Sequence, residues 1–173
     1  GQLTVSQMKN LYRYGTINSE TDVYGIIGSP VMHSMSPQVH NQSFEADHLN
    51  KIYLPLLIKQ DNEFIRFFDN LAYRKWTGFK GFSITIPHKQ NAILYAQHSS
   101  GMIGPLANRI GAVNTMVLNG DSGPVMAYNT DYLGALNAIT EGKNITKNDL
   151  KHMQAVVMGA GGVARAVVAC LTD

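Results

Sequence analysis

Apolar and polar residues alternate through Phe82-Ser83-Ile84-Thr85-Ile86, the period of a strand with one face in a core and one polar face. Pro87 then suits the first position of a helix, where its missing N–H costs nothing. Residues 81–89 therefore predict strand, abrupt turn, helix, with Ser83 and Thr85 on the polar side and Lys89 in the helix's first turn. Helix N-termini favour anions, so a lysine there gains nothing from the dipole. Taken alone, the stretch also reads as an ordinary strand-to-helix junction with a solvated lysine.

The same periodicities parse the rest of the chain. Leu3, Met8, Leu11 and Tyr12 predict a short helix over 3–14, capped by Thr4 or Ser6. The apolar run 23–28, closed by Gly28-Ser29-Pro30, predicts a buried strand. After the loop 31–37, Ser36-Pro37 reads as cap and first residue of a helix through Val39 and Phe44 towards Leu49. Ile52 to Ile58 predicts a second strand, which Pro55 assigns to an edge or a bulge. Phe64, Phe68 and Leu71 recur at helical spacing over 61–74, with Asp61 as cap, and read as core rather than a cofactor box. Ala92, Ile93, Tyr95 and Ala96 mark the helix after Lys89. Residues 116–118 and 125–128 predict a hairpin about the turn 119–124. Asn129-Thr130-Asp131 then opens a helix bearing Leu133, Leu136 and Ile139, with Thr130 or Asp131 as its cap. Residues 143–153 read as a linker. A short strand over 154–158, a glycine loop and a helix over 165–171 follow.

Composition narrows the class. Of the 173 residues 45% are apolar and 15% charged, enough for a packed core and too few charges for a disordered polymer. Fourteen basic and 12 acidic residues leave a net charge of +2 without a basic run, which does not point to nucleic acid. No apolar stretch reaches the length of a membrane span, and no signal-peptide pattern opens the chain. The single cysteine, Cys170, sits in an apolar run as buried filler and fits a reducing compartment. His33, His40, His48, His88, His98 and His152 lack ligand spacing, so no metal site is expected, and they read as surface or local hydrogen-bonding groups.

Gly159-Ala160-Gly161-Gly162-Val163-Ala164 matches the dinucleotide fingerprint G-x-G-x-x-A in a strand-to-helix context. Gly159 permits the tight turn, Gly161 lets backbone approach a pyrophosphate, and Ala164 keeps helix and strand close. The helix N-terminus offers unpaired N–H groups to phosphates.

Five stretches stand in one order: His33-Ser34-Met35-Ser36-Pro37, Thr85-Ile86-Pro87-His88-Lys89, Gly111-Ala112-Val113-Asn114-Thr115, Asn129-Thr130-Asp131 and the glycine loop. In that order and spacing residues 23–173 resemble the shikimate dehydrogenases. The leader Gly1-Gln2-Leu3-Thr4-Val5, and Pro87-His88-Lys89 in place of Pro-Phe-Lys, resemble the bifunctional members in which a 3-dehydroquinate dehydratase domain comes first. The resemblance implies an α/β fold: a three-layer α/β/α substrate-binding domain with a mostly parallel sheet over 21–142, after a leader of 1–20. The truncated start of a Rossmann domain follows over 154–173.

The resemblance implies reversible NADP-dependent reduction of 3-dehydroshikimate to shikimate. Ser34 and Ser36 are then expected to hydrogen-bond the substrate carboxylate, and Thr85, Lys89, Asn114 and Asp131 to hold ring hydroxyls. Lys89 becomes the proton carrier and Asp131 its orienting partner, while residues 159–164 take NADP, with NAD left open. A fused upstream dehydratase domain and a homodimer are partners the family allows, and cytoplasm, or a plastid in a plant, the compartment. Two departures stand out. Ser83 replaces a frequent asparagine, and Tyr132 replaces a frequent glycine, which raises the expectation of a crowded cleft or shifted specificity. The family's later tyrosine and glutamine contacts and its NADP-selecting basic loop have no counterpart in the 173 residues, so these are expected not to turn over shikimate alone. Quinate dehydrogenase and a non-catalytic metabolite sensor are the alternatives; keeping both Lys89 and Asp131 argues against the sensor.

Overall fold

β-Branched and aromatic residues build three parallel strands, β1 (Asp22–Gly28), β2 (Lys51–Leu57) and β3 (Phe79–Ile84), with β1 in the middle. The two-residue strand β4 (Met102–Ile103) and the hairpin strands β5 (Thr115–Val117) and β6 (Met126–Tyr128) complete one sheet in the order β2-β1-β3-β5-β6-β4. β5 runs antiparallel to β3 and β6, whereas β4 and β6 are parallel. The computed structural model describes residues 3–73, 77–119 and 123–173, without the side chains of residues 72 and 73. The expected leader residues Gly1 and Gln2, the helix end at Arg74 and the turn residues Gly120, Asp121 and Ser122 lie outside them.

Neighbouring residues of β1 point to opposite faces, and each face is covered by helices. Ile26 meets Val31 and Tyr53, with Phe44 of helix α1 (Ser36–Ala46) packed against them. Ile27 lies on the other face with Phe64 and Phe68 of α2 (Asp61–Tyr73) and Ala92, Ile93 and Ala96 of α3 (Lys89–His98). The result is three layers, helix, sheet and helix. The stripe of Phe64 and Phe68 is core, as its spacing predicts. Pro55 sits in β2 at the edge of the sheet, where a missing N–H breaks no ladder. There the buried Asn41 of α1 satisfies the Tyr53 backbone in both directions, at 2.9 and 2.8 Å, and ties α1 to the edge strand.

A second cluster joins α4 (Pro105–Ile110), α5 (Asp131–Lys143) and α7 (Gly162–Thr172) through Ile110, Ala112, Tyr132, Ala166 and Cys170. Cys170 is buried there, which pushes its thiol pKa up.

Several expected boundaries move, each for a local reason. Thr4 is the first cap: its hydroxyl takes the Gln7 N–H while Gln7 returns a bond to the Thr4 N–H, and a π-helical turn, Gln7–Leu11, follows. Pro87 lies in a turn after a cis Ile86–Pro87 bond, and the helix begins two residues later at Lys89. Asp61 bonds Asn91 instead of capping α2, and Glu63 receives the N–H groups of Lys59 and Gln60. The linker holds a helical turn of its own, α6 (Lys147–Leu150), closed by a Thr146–Asp149 capping box. The expected strand over 154–158 does not form. Among the described residues it has no ladder partner, and Val156 and Met158 are 91% and 94% exposed. β-propensity alone does not hold a strand without a neighbour to pair with.

Candidate functional site

The expected site residues gather at one edge of the sheet. Ser34 and Ser36 follow the C-terminal end of β1, Thr85 and Lys89 that of β3, and Asp131 that of β6. Asn114 precedes the antiparallel β5, which brings it to the same edge. Carboxyl ends of strands are where open α/β sheets present ligand sites, because the loops there are free to vary over a rigid base.

Lys89 is the first residue of α3 and only 8% exposed. Its ammonium Nζ donates to Asp131 Oδ2 at 2.5 Å. A cation at a helix N-terminus is opposed by the dipole, whereas Asp131, the first residue of α5, is favoured by its own. The carboxylate therefore offsets a position that backbone and burial both make unfavourable for Lys89. Its other oxygen accepts from Asn114 Nδ2 at 2.9 Å, and the same amide group reaches Thr130 Oγ1 at 2.8 Å. Asn114 Oδ1 accepts from Thr130 N–H and the Thr115 hydroxyl. The backbone closes the frame: Val113 N–H donates to Lys89 O, and Ile84 N–H to Asn114 O.

Neither Thr130 nor Asp131 caps α5 through its side chain. Asn129, buried and one residue earlier, does so: its Oδ1 takes the N–H groups of Asp131 and Tyr132 at 3.0 and 3.4 Å, and its Nδ2 donates to Ala112 O. The Asp131 carboxylate is thereby released for Lys89 and Asn114. Asn129→Ala is expected to lower stability by about 1–2 kcal/mol in chemical denaturation, the range for losing an N-cap, and Asn129→Asp to keep most of it.

The serine pair is also rearranged. Ser36 lies inside α1, and it is Ser34 whose Oγ takes the Ser36 N–H at 3.2 Å and donates to Ser36 Oγ at 3.1 Å. The capping duty expected of Ser36 thus falls to Ser34, and the Ser36 hydroxyl keeps bonding capacity. Tyr53, not singled out from the sequence, reaches across from β2. Its hydroxyl donates to Ser83 Oγ at 2.7 Å with the Ser36 side chain beside it, and burial pushes its pKa up. Its ring stacks on His40 at 4.3 Å. Ser83 pairs in register with Thr115, so a line of polar side chains runs from Ser34 and Ser36 through Tyr53 and Ser83 to Thr115, Asn114, Asp131 and Lys89. The Thr85 hydroxyl has no bond to another described residue, while its N–H is held by Ile27 O.

His88, immediately before Lys89, is fully buried, with Nε2 2.8 Å from Ile58 O, Nδ1 3.0 Å from Asn91 Nδ2, and its ring stacked on Phe64. Tyr132 does not enter the Lys89–Asp131 edge. Its side chain fills the α4–α5–α7 cluster and its hydroxyl bonds Asp173 at 2.7 Å, which corrects the expected crowding.

The glycine loop lies beside this edge. Gly159 has φ +122°, which L side chains rarely adopt, and Gly161 leads into α7 with open space around its Cα. Gly162 is the first residue of α7, Val163 is half exposed, and Ala160 and Ala164 line a cavity of about 400 Å³ with Arg109, Ile110 and Arg165. Arg109 donates to the Asp173 carboxylate at 2.9 and 2.5 Å, and this bond, with that of the Tyr132 hydroxyl, holds the Asp173 carboxyl pKa below the usual range.

A family model described as the shikimate dehydrogenase substrate binding domain matches residues 26–116. The chain is 38% identical, over 96% of its length, to the chloroplastic bifunctional 3-dehydroquinate dehydratase/shikimate dehydrogenase of Arabidopsis thaliana, and covers 28% of that protein. It is 39% identical to the shikimate dehydrogenase (NADP(+)) of Halothermothrix orenii over 89% of this chain and 49% of that one. The crystal structure of shikimate dehydrogenase from Aquifex aeolicus superimposes with a TM-score of 0.76 at 33% identity, covering 90% of this chain and 53% of that one. The chain thus spans about half the length, or less, of these relatives.

Proposed function

The chain belongs to the shikimate dehydrogenase family, and from that premise we propose that it supplies the substrate site and the glycine loop of an NADP-dependent shikimate dehydrogenase. The observation that carries this reading is the Lys89–Asp131 pair, held by Asn114 at the carboxyl edge of the sheet. A polyhydroxylated ring acid is oriented by several neutral donors and acceptors rather than by apolar walls. Ser34 and Ser36 take the carboxylate, close to the N-terminus of α1 where the dipole favours an anion. Thr85, Asn114, Lys89 and Asp131 take the ring hydroxyls.

Oxidation of the ring alcohol needs a group that receives the hydroxyl proton, and reduction needs the same group to return it. Lys89 fills that role: as the ammonium beside Asp131 it returns the proton in reduction, and as the neutral amine left by that step it receives the proton in oxidation. It touches Asp131, which fixes the position of the ammonium and accepts a hydrogen bond from the substrate. The positive φ of Gly159, the open approach to Gly161 and the unpaired N–H groups at the start of α7 fit a dinucleotide phosphate, with Ala160, Gly162, Val163 and Ala164 around it. When bound, the nicotinamide dinucleotide supplies the acceptor for the ring hydride. The bifunctional, chloroplastic Arabidopsis relative supports a dehydratase domain fused in the same polypeptide, and a plastid setting, as further parts of this proposal.

Calorimetric titration of shikimate and quinate into the chain tests the reading. Shikimate is expected to bind more tightly than quinate, and Asp131→Ala to weaken it at least about tenfold, the scale of one hydrogen bond to a charged group. Tighter quinate binding, or shikimate binding that ignores Asp131→Ala, would overturn the assignment.

A further inference from the structure

The fingerprint G-x-G-x-x-A asks for glycine at 159 and 161 and leaves position 162 open, yet Gly162 stands there. Its backbone is helical, so no unusual φ requires it. The reason lies on the other side of the residue. A methyl group on Gly162 would come within 2.8 Å of Lys89 Cδ and 3.1 Å of Lys89 Cβ. Ala112 Cβ stands 3.4 Å from the same point.

The lysine stem has little freedom to move aside. Its backbone is fixed as the start of α3, with its carbonyl accepting from Val113 N–H at 2.9 Å, and its ammonium is fixed by Asp131 at 2.5 Å. A stem held at both ends yields to a new methyl only by releasing one of them, and the side-chain end is the weaker. Gly162 also carries one of the unpaired N–H groups at the start of α7, beside the glycine loop. One residue therefore faces the loop with its amide and Lys89 with its Cα.

We propose that Gly162 is a positioning residue for Lys89: its missing side chain seats the lysine stem against the start of α7 and so joins the dinucleotide loop to the Lys89–Asp131 pair. The proposal rests on the reading of Lys89 and Asp131 as the proton-handling pair, and its consequence is that the loop and the lysine do not vary independently. Whatever displaces the first turn of α7 displaces the Lys89 ammonium relative to the substrate.

The test is a single substitution, Gly162→Ala, read in two ways. Alanine suits a helical backbone, so the variant is expected to fold. In the chain labelled with 13C at lysine Cε, the Lys89 resonance is identified by its loss in Lys89→Ala. Gly162→Ala is expected to move that resonance more than any other lysine signal, and Gly134→Ala, whose methyl meets nothing within 4 Å, to leave it in place. In calorimetry, Gly162→Ala is expected to weaken shikimate about tenfold to a hundredfold, the scale of an ångström-level misplacement, but to add nothing in the Lys89→Ala background. An unmoved Lys89 resonance, or equal losses in both backgrounds, would overturn the proposal. Absence of shikimate binding by the unsubstituted chain would count against the substrate reading instead, and the resonance shift would still decide the role of Gly162.

Discussion

Asp131→Ala is expected to destabilise the chain by about 3 kcal/mol, whereas Lys89→Met costs under about 1 kcal/mol, although the two substitutions remove the same ion pair. The asymmetry follows from what each leaves behind. Without Asp131, the charge of a lysine side chain that is 10% exposed remains at the N-terminus of α3, opposed by the dipole and without a carboxylate. Without Lys89, the Asp131 carboxylate is 21% exposed, keeps the Asn114 amide, and sits at the favourable N-terminus of α5. Methionine also refills the space of the lysine stem against Gly162 and Ala112. The double variant Lys89→Met/Asp131→Ala is expected to recover most of the loss, because the stranded charge is gone. Urea denaturation of the four proteins measures this cycle. Equal costs for the two single variants would mean that Lys89 is not held as a charge that depends on Asp131. A double variant close to the original in stability but unable to bind shikimate would show that the pair serves the site rather than the fold.

Phe64→Ala is expected to cost about 3–5 kcal/mol, the range for emptying a large aromatic position in a core. Phe64 is fully buried, and its ring lies 4.9 Å from those of both Phe68 and His88. Against a total stability of about 5–15 kcal/mol for a domain, the loss is a large fraction of the whole. The effect does not stop at the core, because His88 is the residue before Lys89 and Phe64 stacks on its ring, which Ile58 O and Asn91 also hold and the Asp61 carboxylate faces at 3.9 Å. Shikimate affinity is therefore expected to fall together with stability. Phe64→Leu, which keeps most of the volume, is expected to restore both in part. Denaturation midpoints and calorimetry on the same samples check this, and unchanged affinity in a destabilised Phe64→Ala chain would separate the core from the site.

How far the sequence could be read depended on whether the determining interaction was local. Period-2 and period-3.6 patterns located β3, α2 and α3, because burial of one face is encoded by neighbours two to four residues away, while short apolar runs located β1 and β2. The two-residue β4 and the six-residue α4 are too short to show a period, and the Pro105 and Gly111 that bound α4 are recognised as its ends only in the structure. The strand expected over 154–158 failed for the opposite reason: its residues favour a strand, but a strand exists only with a partner.

The motifs by themselves brought Ser34, Ser36, Thr85, Lys89, Asn114, Asp131 and the glycine loop to attention, and the order of the motifs identified the family. Which of these side chains is free to act was decided only in three dimensions. Asn129 and Ser34 take the capping role that the sequence equally allowed Thr130 or Asp131, and Ser36, to take, a choice that turns on a shift of one or two residues at a helix start. Tyr53 lies 30 residues from Ser83 and meets it only because β2 and β3 flank the same central strand. Gly162 lies 73 residues beyond Lys89, so its missing side chain acquires a purpose only when α7 packs against α5 and brings the two into contact. Residue types at a spacing name the chemistry a chain can carry; the packing of distant elements decides which atoms are left unpaired to carry it.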